Sequence, residues 1–93
     1  MVVHARVDSS LARVGGPRVG LIVSRAVGNS VTRHRVSRRL RHIAREEMDG
    51  IDAELDIVIR ANRASADATR ADLVRDMRSC LDSATSRARE GAA

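Results

Sequence analysis

Eight arginines between Arg18 and Arg45 are the residues with the clearest chemistry in this sequence, because the stretch contains no Asp or Glu. They are Arg18, Arg25, Arg33, Arg35, Arg38, Arg39, Arg41 and Arg45. Like charges one turn apart on an isolated helix repel by roughly a few tenths of a kcal/mol, so an anionic partner is indicated. Guanidinium groups bind phosphate bidentately and stay charged at any working pH. The stretch therefore predicts a phosphate-rich partner.

A strand, a corner and a helix are predicted to position these arginines. Val19 to Val23 is rich in β-branched residues and favours a buried strand. Gly28-Asn29 forms a corner, and a helix follows from about Asn29 to Glu47 with Asn29 or Ser30 as N-cap. At about 100° per residue, this helix has an apolar face and a basic face. The apolar face carries Val36, Leu40, Ile43 and Ala44, and the basic face, here called the arginine ridge, carries His34, Arg38, Arg41, His42 and Arg45.

Two further strands are predicted, at Val2 to Val7 and at Glu54 to Ala61. Ser9 to Pro17 is expected to be a loop because Gly15-Gly16-Pro17 is a turn signal, so a hairpin is predicted between residues 2 and 24. The sequence leaves the direction of the third strand open. A helix of this length between the second and third strands nevertheless suits a crossover between parallel strands.

A final helix is predicted from Thr69 to about Arg87, after a stop of the first helix near Gly50. Thr69 and Asp72 match a capping box at its start. Its apolar stripe consists of Leu73, Val74, Met77, Leu81 and Ala84. Together the elements predict one α+β domain over residues 1–93, with a mixed sheet of about three strands, an arginine-rich crossover helix and a C-terminal helix.

The chain has a basic first half and an acidic second half. Residues 1–45 hold ten Arg and one acid, which gives +9; residues 46–93 hold seven Arg and eleven acids, which gives −4 and a formal net charge of +5. We therefore expect the binding surface in the first half. The acidic half is expected to face solvent or to brace that surface.

Cysteine content and hydropathy indicate a cytoplasmic protein. Cys80 is the one cysteine, so no intrachain disulfide can form and a reducing compartment is expected. No apolar run reaches the roughly 18 residues that span a bilayer, and Met1 to Arg13 lacks the pattern of a signal peptide. The sequence indicates no membrane and no obligate protein partner.

Two sets of residues suggest metal chemistry, and their spacing argues against both. His34 and His42 are eight residues apart without a third ligand, whereas a helical zinc pair needs i, i+4 spacing. The candidate two-metal cluster is Glu46, Glu47, Asp49, Asp52, Glu54 and Asp56. These carboxylates span a helix end, a loop and a strand face, which favours ion pairs with arginines, such as Asp56 with Arg60. No catalytic side chain and no protein-bound metal are predicted.

The stretch from Arg18 to Arg41 resembles the signature of the bacterial ribonuclease P protein subunit. That signature has a strand of the form RVGxxVS, a basic residue, VGN, and a helix containing R-[N/H]-R-x-x-R-R-L-R. Here Arg33-His34-Arg35 begins the helical motif and Arg38-Arg39-Leu40-Arg41 continues it. The later strand ELDIVIRA and the last helix also resemble the family pattern, so the resemblance covers about residues 2 to 88.

The resemblance implies an accessory subunit of an endoribonuclease, with a small ribosomal-protein-like α/β sandwich fold. Bacterial ribonuclease P removes the 5′ leader from precursor tRNA, and its large RNA performs the hydrolysis with bound Mg²⁺. The implied partners are therefore ribonuclease P RNA and the precursor tRNA leader, with no cofactor held by the protein alone. The implied RNA-binding residues are Arg25, Asn29, Arg33, His34, Arg35, Arg38, Arg39, Arg41 and Arg45, with His4 as a candidate leader contact.

The chain departs from the family pattern in four ways. His34 stands where Asn is common, and Ala26 and Ser37 replace frequent basic residues. Family members also begin with a helix ahead of the first strand, whose aromatic and basic residues line the leader cleft. We expect this helix to be missing here, which affects the leader site and the coverage of apolar surface.

Three alternative functions also use a basic helix. A ribosomal or other structural RNA-binding protein would use the same ridge, and only the arrangement of VGN and RHRVSRRLR separates it from a ribonuclease P subunit. A helix-turn-helix DNA binder needs a second short helix before the basic one, which the sequence lacks. A membrane-surface helix needs bulkier apolar anchors than Val36, Leu40, Ile43 and Ala44 provide.

Overall fold

The computed structural model describes residues 1–7, 18–51 and 55–92. The strands are β1 (Val2–Val7), β2 (Arg18–Ile22) and β3 (Leu55–Arg60), and the helices are α1 (Ser30–Glu47) and α2 (Arg70–Ala92). Short 3-10 turns at Arg25–Val27 and Arg63–Ala66 precede the helices. The predicted α+β class, with a three-stranded mixed sheet, a crossover helix and a C-terminal helix, is confirmed.

The strand order is β1-β3-β2, so β3 lies at the centre of the sheet. β1 pairs with β3 antiparallel and β2 pairs with β3 parallel, which makes α1 a crossover between parallel neighbours. The predicted hairpin between residues 2 and 24 is wrong, because β3 separates β1 from β2. The turn signal behind that prediction, at residues 15–17, and the loop predicted over residues 9–17 lie outside the described residues.

One face of the sheet carries the core, and both helices pack on it. Leu55, Ile57 and Ile59 of β3 are at most 1% exposed, and they share a face because side chains alternate along a strand. β3 pairs with a strand on each side, so it lies under the centre of this core. The buried residues of α1 are the four predicted ones, and those of α2 include Leu73, Met77, Leu81 and Ala84; Val74 is only partly buried.

No helix among the described residues covers the opposite face of the sheet, here called the open face. The exposed apolar residues of this face are Val2, Ile22 and Val58, and its exposed polar residues are His4, Arg6, Arg18 and Arg60. Asp56 lies between the edge strands, with an Oδ1–Nε distance of 3.0 Å to Arg18 and an Oδ2–Nη2 distance of 3.5 Å to Arg6. The sequence predicted an ion pair between Asp56 and Arg60. Within the described part of the chain, these two residues do not form it. Four residues along a strand span roughly 13 Å, whereas direct cross-strand neighbours are about 5 Å apart.

Both helices begin at their predicted caps. The Asn29 side chain accepts a hydrogen bond from the Thr32 backbone N–H at 2.9 Å. The Thr69 hydroxyl oxygen accepts one from the Asp72 backbone N–H at 3.1 Å. Hydrogen bonding with the Thr69 side chain, and then with Arg75, lowers the pKa of the Asp72 carboxyl. These caps satisfy backbone donors that have no partner within the helix.

The ends of the helices agree less well with the sequence prediction. α1 ends at Glu47, and Gly50 adopts a positive φ of 84° shortly after it, as expected for a residue that follows a helix stop. α2 continues to Ala92, whereas its predicted end was near Arg87. The predicted apolar stripe ended at Ala84, but Ala88, one turn further on, also packs against the core and continues it.

Gly28 allows the chain to turn closely into α1. A Cβ atom at this position would lie 2.9 Å from Cγ2 and 3.0 Å from Cβ of Thr32. Thr32 cannot easily move away, because its N–H is held by the Asn29 cap. The Gly-Asn pair therefore combines two physical requirements, a missing side chain and a side-chain acceptor, at one helix start.

We predict that Gly28→Ala lowers the free energy of unfolding by roughly 1–3 kcal/mol, because the new methyl group crowds the first turn of α1. Gly20→Ala is the matched control, since a Cβ there would meet its nearest atoms at 4.0 Å. We expect this control to change stability by less than about 1 kcal/mol. Urea denaturation followed by far-ultraviolet circular dichroism measures both, and equal losses would contradict the close approach at Gly28.

A second pair of variants tests the orientation of β3. Ile57→Ala should cost roughly 2–5 kcal/mol, because it leaves a cavity in the core. Val58→Ala, one residue further along the same strand, should cost less than about 1 kcal/mol because its side chain is 39% exposed. Chemical denaturation is again the measurement. A larger loss from Val58→Ala than from Ile57→Ala would show that the strand faces the other way.

Candidate nucleic-acid interface

The arginine ridge lies along the solvent-exposed side of α1. All five of its residues are exposed, and they lie opposite Val36, Leu40, Ile43 and Ala44, which are buried. The predicted division of this helix into an apolar face and a basic face is therefore confirmed by the burial of its residues. Packing of the apolar face against the sheet leaves the ridge side chains exposed to solvent.

Four further residues of the predicted site surround the ridge. Arg25 and Asn29 are exposed where the chain enters α1, and Arg39 is exposed on the flank of the helix nearer α2. Arg35 is also exposed, but its Nη2 donates a hydrogen bond to the Ala66 backbone oxygen at 3.2 Å. Arg35 thus fastens α1 to the turn before α2, and only part of its guanidinium group remains for a ligand.

Arg33 differs from the other predicted site residues because it lies at the margin of the apolar face. It is partly buried, and its Nε atom has no hydrogen-bond partner within the described part of the chain. Leu21 and Ser37 line the same shallow cavity. A ligand that reached Arg33 would therefore lie between β2 and the first turns of α1, beside the ridge.

Carboxylates near the ridge pair with arginines of α2. Glu46 lies 3.1 Å from Nη2 of Arg70, and Glu47 lies 3.0 Å from Nε of Arg78. The hydrogen bond and the charge of Glu47 raise the pKa of the Arg78 guanidinium. These two contacts join the end of α1 to α2, as expected for an acidic segment that braces the binding surface.

The consequence is an uncompensated positive charge on α1. Among the described residues, no arginine of α1 forms an ion pair with a carboxylate; the ion-paired arginines include Arg6, Arg18, Arg70, Arg75 and Arg78. Arg41 donates only to the Ser37 hydroxyl, at 3.4 Å. One residue of the ridge does contact a carboxylate, because the His42 imidazole lies 3.3 Å from Glu46.

The carboxylates of the candidate metal cluster do not converge on one point in the described structure. Glu46, Glu47 and Asp56 each bind arginines, and Asp52 and Glu54 lie outside the described residues. The described residues include no group of three or more His, Cys, Asp or Glu side chains able to hold a metal ion. Within the same residues, no helix is long and apolar enough to cross a membrane.

Sequence reasoning missed two features beside the ridge. The first is the Arg6–Asp56–Arg18 contact on the open face, which depends on a strand order that the sequence did not reveal. The second is a groove between α1 and β2, where Val19 remains 40% exposed on the core side of the sheet. The sequence predicted a buried strand at Val19 to Val23, but β2 lies at the edge of the sheet and is largely exposed, and this position depends on the same strand order.

Comparison with known proteins identifies the family to which this chain is similar. The ribonuclease P family profile matches residues 1–85. The chain is similar to the ribonuclease P protein component of Nocardia farcinica, with 56% identity over 72 residues, covering 77% of this chain and 46% of the relative. It is also similar to the ribonuclease P protein component of Corynebacterium diphtheriae, with 49% identity over 73 residues, covering 78% of this chain and 61% of the relative.

A solved structure shows the same fold. The Staphylococcus aureus RNase P protein matches with a TM-score of 0.73 and 24% identity, covering 88% of this chain and 72% of that protein. The matched region spans about half to three fifths of the lengths of the two relatives. Because the family profile extends over nearly the whole sequence, this chain belongs to the ribonuclease P protein family.

Proposed function

We propose that this protein is a subunit of ribonuclease P and that it binds the catalytic RNA through the arginine ridge. The observation that carries the proposal is the row of exposed arginines on α1 without carboxylate partners in the described structure. Phosphates are suitable partners, because a guanidinium group forms two parallel hydrogen bonds with their oxygens. Family membership supports RNA as the source of these phosphates.

The geometry of α1 determines which side chains reach the RNA. Arg38, Arg41 and Arg45 follow one another at spacings of three and four residues, so they form a continuous line along the helix. Arg25 and Asn29 extend this line to the start of α1, although Asn29 also caps the helix. The proposed role of these residues is to fix the orientation of the protein on the RNA backbone, because phosphate contacts position a protein without selecting a sequence.

In this proposal the chemistry belongs to the RNA subunit. Mg²⁺ held by the RNA supplies the activated water for cleavage of precursor tRNA, while the protein binds and positions. The carboxylates of the protein support this division of labour, because Glu46, Glu47 and Asp56 are engaged by arginines. The protein therefore contributes binding energy and electrostatic screening between RNA strands.

We further propose that the open face contacts the 5′ leader. His4 lies in the middle of β1, opposite Val58, and Gly20 follows on the other side of Val58. His4, Val58 and Gly20 thus form a row across the sheet. This row has an imidazole ring at one end and no side chain at the Gly20 end. A single-stranded base can stack on an imidazole ring, while Arg6 and Arg60 on the same face supply positive charge for its phosphates.

The alternative function, binding of ribosomal or other structural RNA without a role in tRNA processing, uses the same ridge. The matches to ribonuclease P proteins favour the first function. A DNA-binding role has less support, because the segment before α1 is a three-residue 3-10 turn, whereas a helix-turn-helix motif has a full helix there.

The salt dependence of binding to the cognate ribonuclease P RNA tests the ridge. If about six arginines meet phosphates, log affinity should fall against log salt with a slope steeper than about −4, at roughly 0.7–0.9 per phosphate. Replacing two ridge arginines, in Arg38→Gln with Arg45→Gln, should reduce the slope by about 1.5. A filter-binding titration at several salt concentrations measures it.

The matched control for this titration is Arg70→Gln with Arg75→Gln on α2. Both arginines are exposed, but each is already paired with a carboxylate, Glu46 or Asp72. The control should leave the salt slope within about 0.5 of the unmodified protein. A wild-type slope near −1, or an equal loss from both double variants, would reject the ridge as the interface.

Processing of precursor tRNA tests the assignment to ribonuclease P. We expect the purified protein to lower the Mg²⁺ concentration at which the cognate RNA removes the 5′ leader, because bound arginines reduce repulsion between phosphates. The protein without RNA should show no metal-dependent cleavage. Turnover by RNA-free protein would overturn the division of labour, and tight binding without any effect on processing would favour the structural RNA-binding role.

A further inference from the structure

The groove between α1 and β2 is an apolar opening beside the arginine ridge. Its floor includes Val19, Leu21 and Ile59 from the sheet and Ala44 from α1. The cavity measures about 320 Å³, which is near the lower end of the roughly 300–1,000 Å³ typical of small-ligand pockets. It lies on the core side of the sheet, so it is separate from the open face.

The groove is open because β2 is an edge strand that α1 covers only partly. Val19 and Leu21 point to the core side, as their pairing with Ile57 and Ile59 shows. Val19 is nevertheless 40% exposed, and Met48, just beyond the end of α1, is only partly buried. Apolar surface is therefore left in contact with solvent next to the most basic part of the protein.

Two arginines of the ridge line this apolar groove. Arg41 and Arg45 are one helical turn apart, and both contribute to its lining. Within the described part of the chain neither has a carboxylate partner, and Arg41 makes only the contact with the Ser37 hydroxyl. A ligand that fills the groove must therefore offer an apolar surface and a negative charge within one turn of helix.

A second cavity offers a comparison for the groove. On α2, Val74 is also partly buried and lies among Arg70, Arg75 and Arg78. These three arginines are paired with Glu46, Asp72 and Glu47 respectively. The α2 cavity thus has similar residue types without free positive charge, which makes it an internal reference for the groove.

We propose that the groove receives one unstacked nucleobase of the bound RNA, with the adjoining phosphates on Arg41 and Arg45. The inference rests on the proposed function and adds a base-binding subsite to the phosphate-binding ridge. A nucleotide has the required combination, since its base is flat and largely apolar and its phosphate is anionic. Unstacked bases also pack against guanidinium planes, which Arg41 and Arg45 provide. An apolar polypeptide segment would leave both arginines without an anion.

Photo-cross-linking of the wild-type protein tests where the bases lie. Cognate RNA is prepared with 4-thiouridine and, separately, with 6-thioguanosine, then bound and irradiated with near-ultraviolet light. Cleavage at arginine places Val19 and Leu21 in the peptide of residues 19–25, and Val74 in the peptide of residues 71–75. We expect cross-links at Val19 or Leu21 and at least about tenfold fewer at Val74.

A pair of variants tests the energetic contribution of the apolar floor. Val19→Asn should weaken RNA binding by about 5- to 30-fold, in the range of a lost base contact, without changing the salt slope. Val74→Asn should bind within about twofold of wild type. Circular dichroism confirms that both variants are folded. A parallel loss of affinity and salt slope in Val19→Asn would overturn the base subsite, because phosphate contacts would then account for the effect.

The outcomes separate this inference from the proposed function. Wild-type binding with a steep salt slope, but without cross-links at Val19 or Leu21 and with full affinity of Val19→Asn, would overturn the base subsite alone. Failure of the wild-type protein to bind the RNA would overturn both.

A polypeptide occupant of the groove is tested by alkylation of RNA-free protein carrying Cys80→Ser. A thiol introduced by Val19→Cys should be alkylated as fast as one introduced by Val74→Cys. Protection of the thiol at position 19 would overturn the proposal.

Discussion

The distribution of positive charge on the surface of this protein depends on which arginines bind its carboxylates. Glu46 and Glu47 lie at the end of the arginine-rich helix, yet their ion pairs are formed with Arg70 and Arg78 of α2. The geometry explains this pairing, because Arg70 and Arg78 lie across the contact between the two helices from Glu46 and Glu47. Surface ion pairs contribute little to stability, but these two direct both carboxylates toward the arginines of α2, although Glu46 also lies 3.3 Å from His42 of the ridge. The positive charge of the ridge is therefore left available for an external anion, as the proposed function requires.

The same helix serves the core and the interface, which links folding to binding. Val36, Leu40, Ile43 and Ala44 hold α1 against the sheet, and this packing outweighs the repulsion among the arginines on its other side. Any ligand that binds the folded ridge better than the unfolded chain must also stabilise the fold by mass action. A 93-residue domain has modest stability of its own, so the proposed binding of RNA would add to the stability of the fold as well as fix the placement of α1.

The sequence was sufficient where local patterns and burial agree. The cap at Asn29, the buried face of α1 and the alternation of Leu55, Ile57 and Ile59 all follow from residue spacing. The arrangement of the strands did not follow, because a turn signal near residue 16 suggested a hairpin, while the apolar alternation of β3 placed that strand between β1 and β2. Contacts that depend on this strand order, such as those of Asp56 with Arg6 and Arg18, could not be predicted for the same reason.

The sequence also could not distinguish arginines by their environment. Arg33, Arg35 and Arg41 belong to one motif, yet one is partly buried, one donates to a backbone oxygen and one borders an apolar groove. Their angular positions on the helix account for this: Arg33 is close to the buried face, Arg35 faces the turn before α2, and Arg41 faces β2. An arginine motif on a packed helix thus contains at least three kinds of side chain, and only those on the outward and β2-facing sides are free to meet an RNA phosphate.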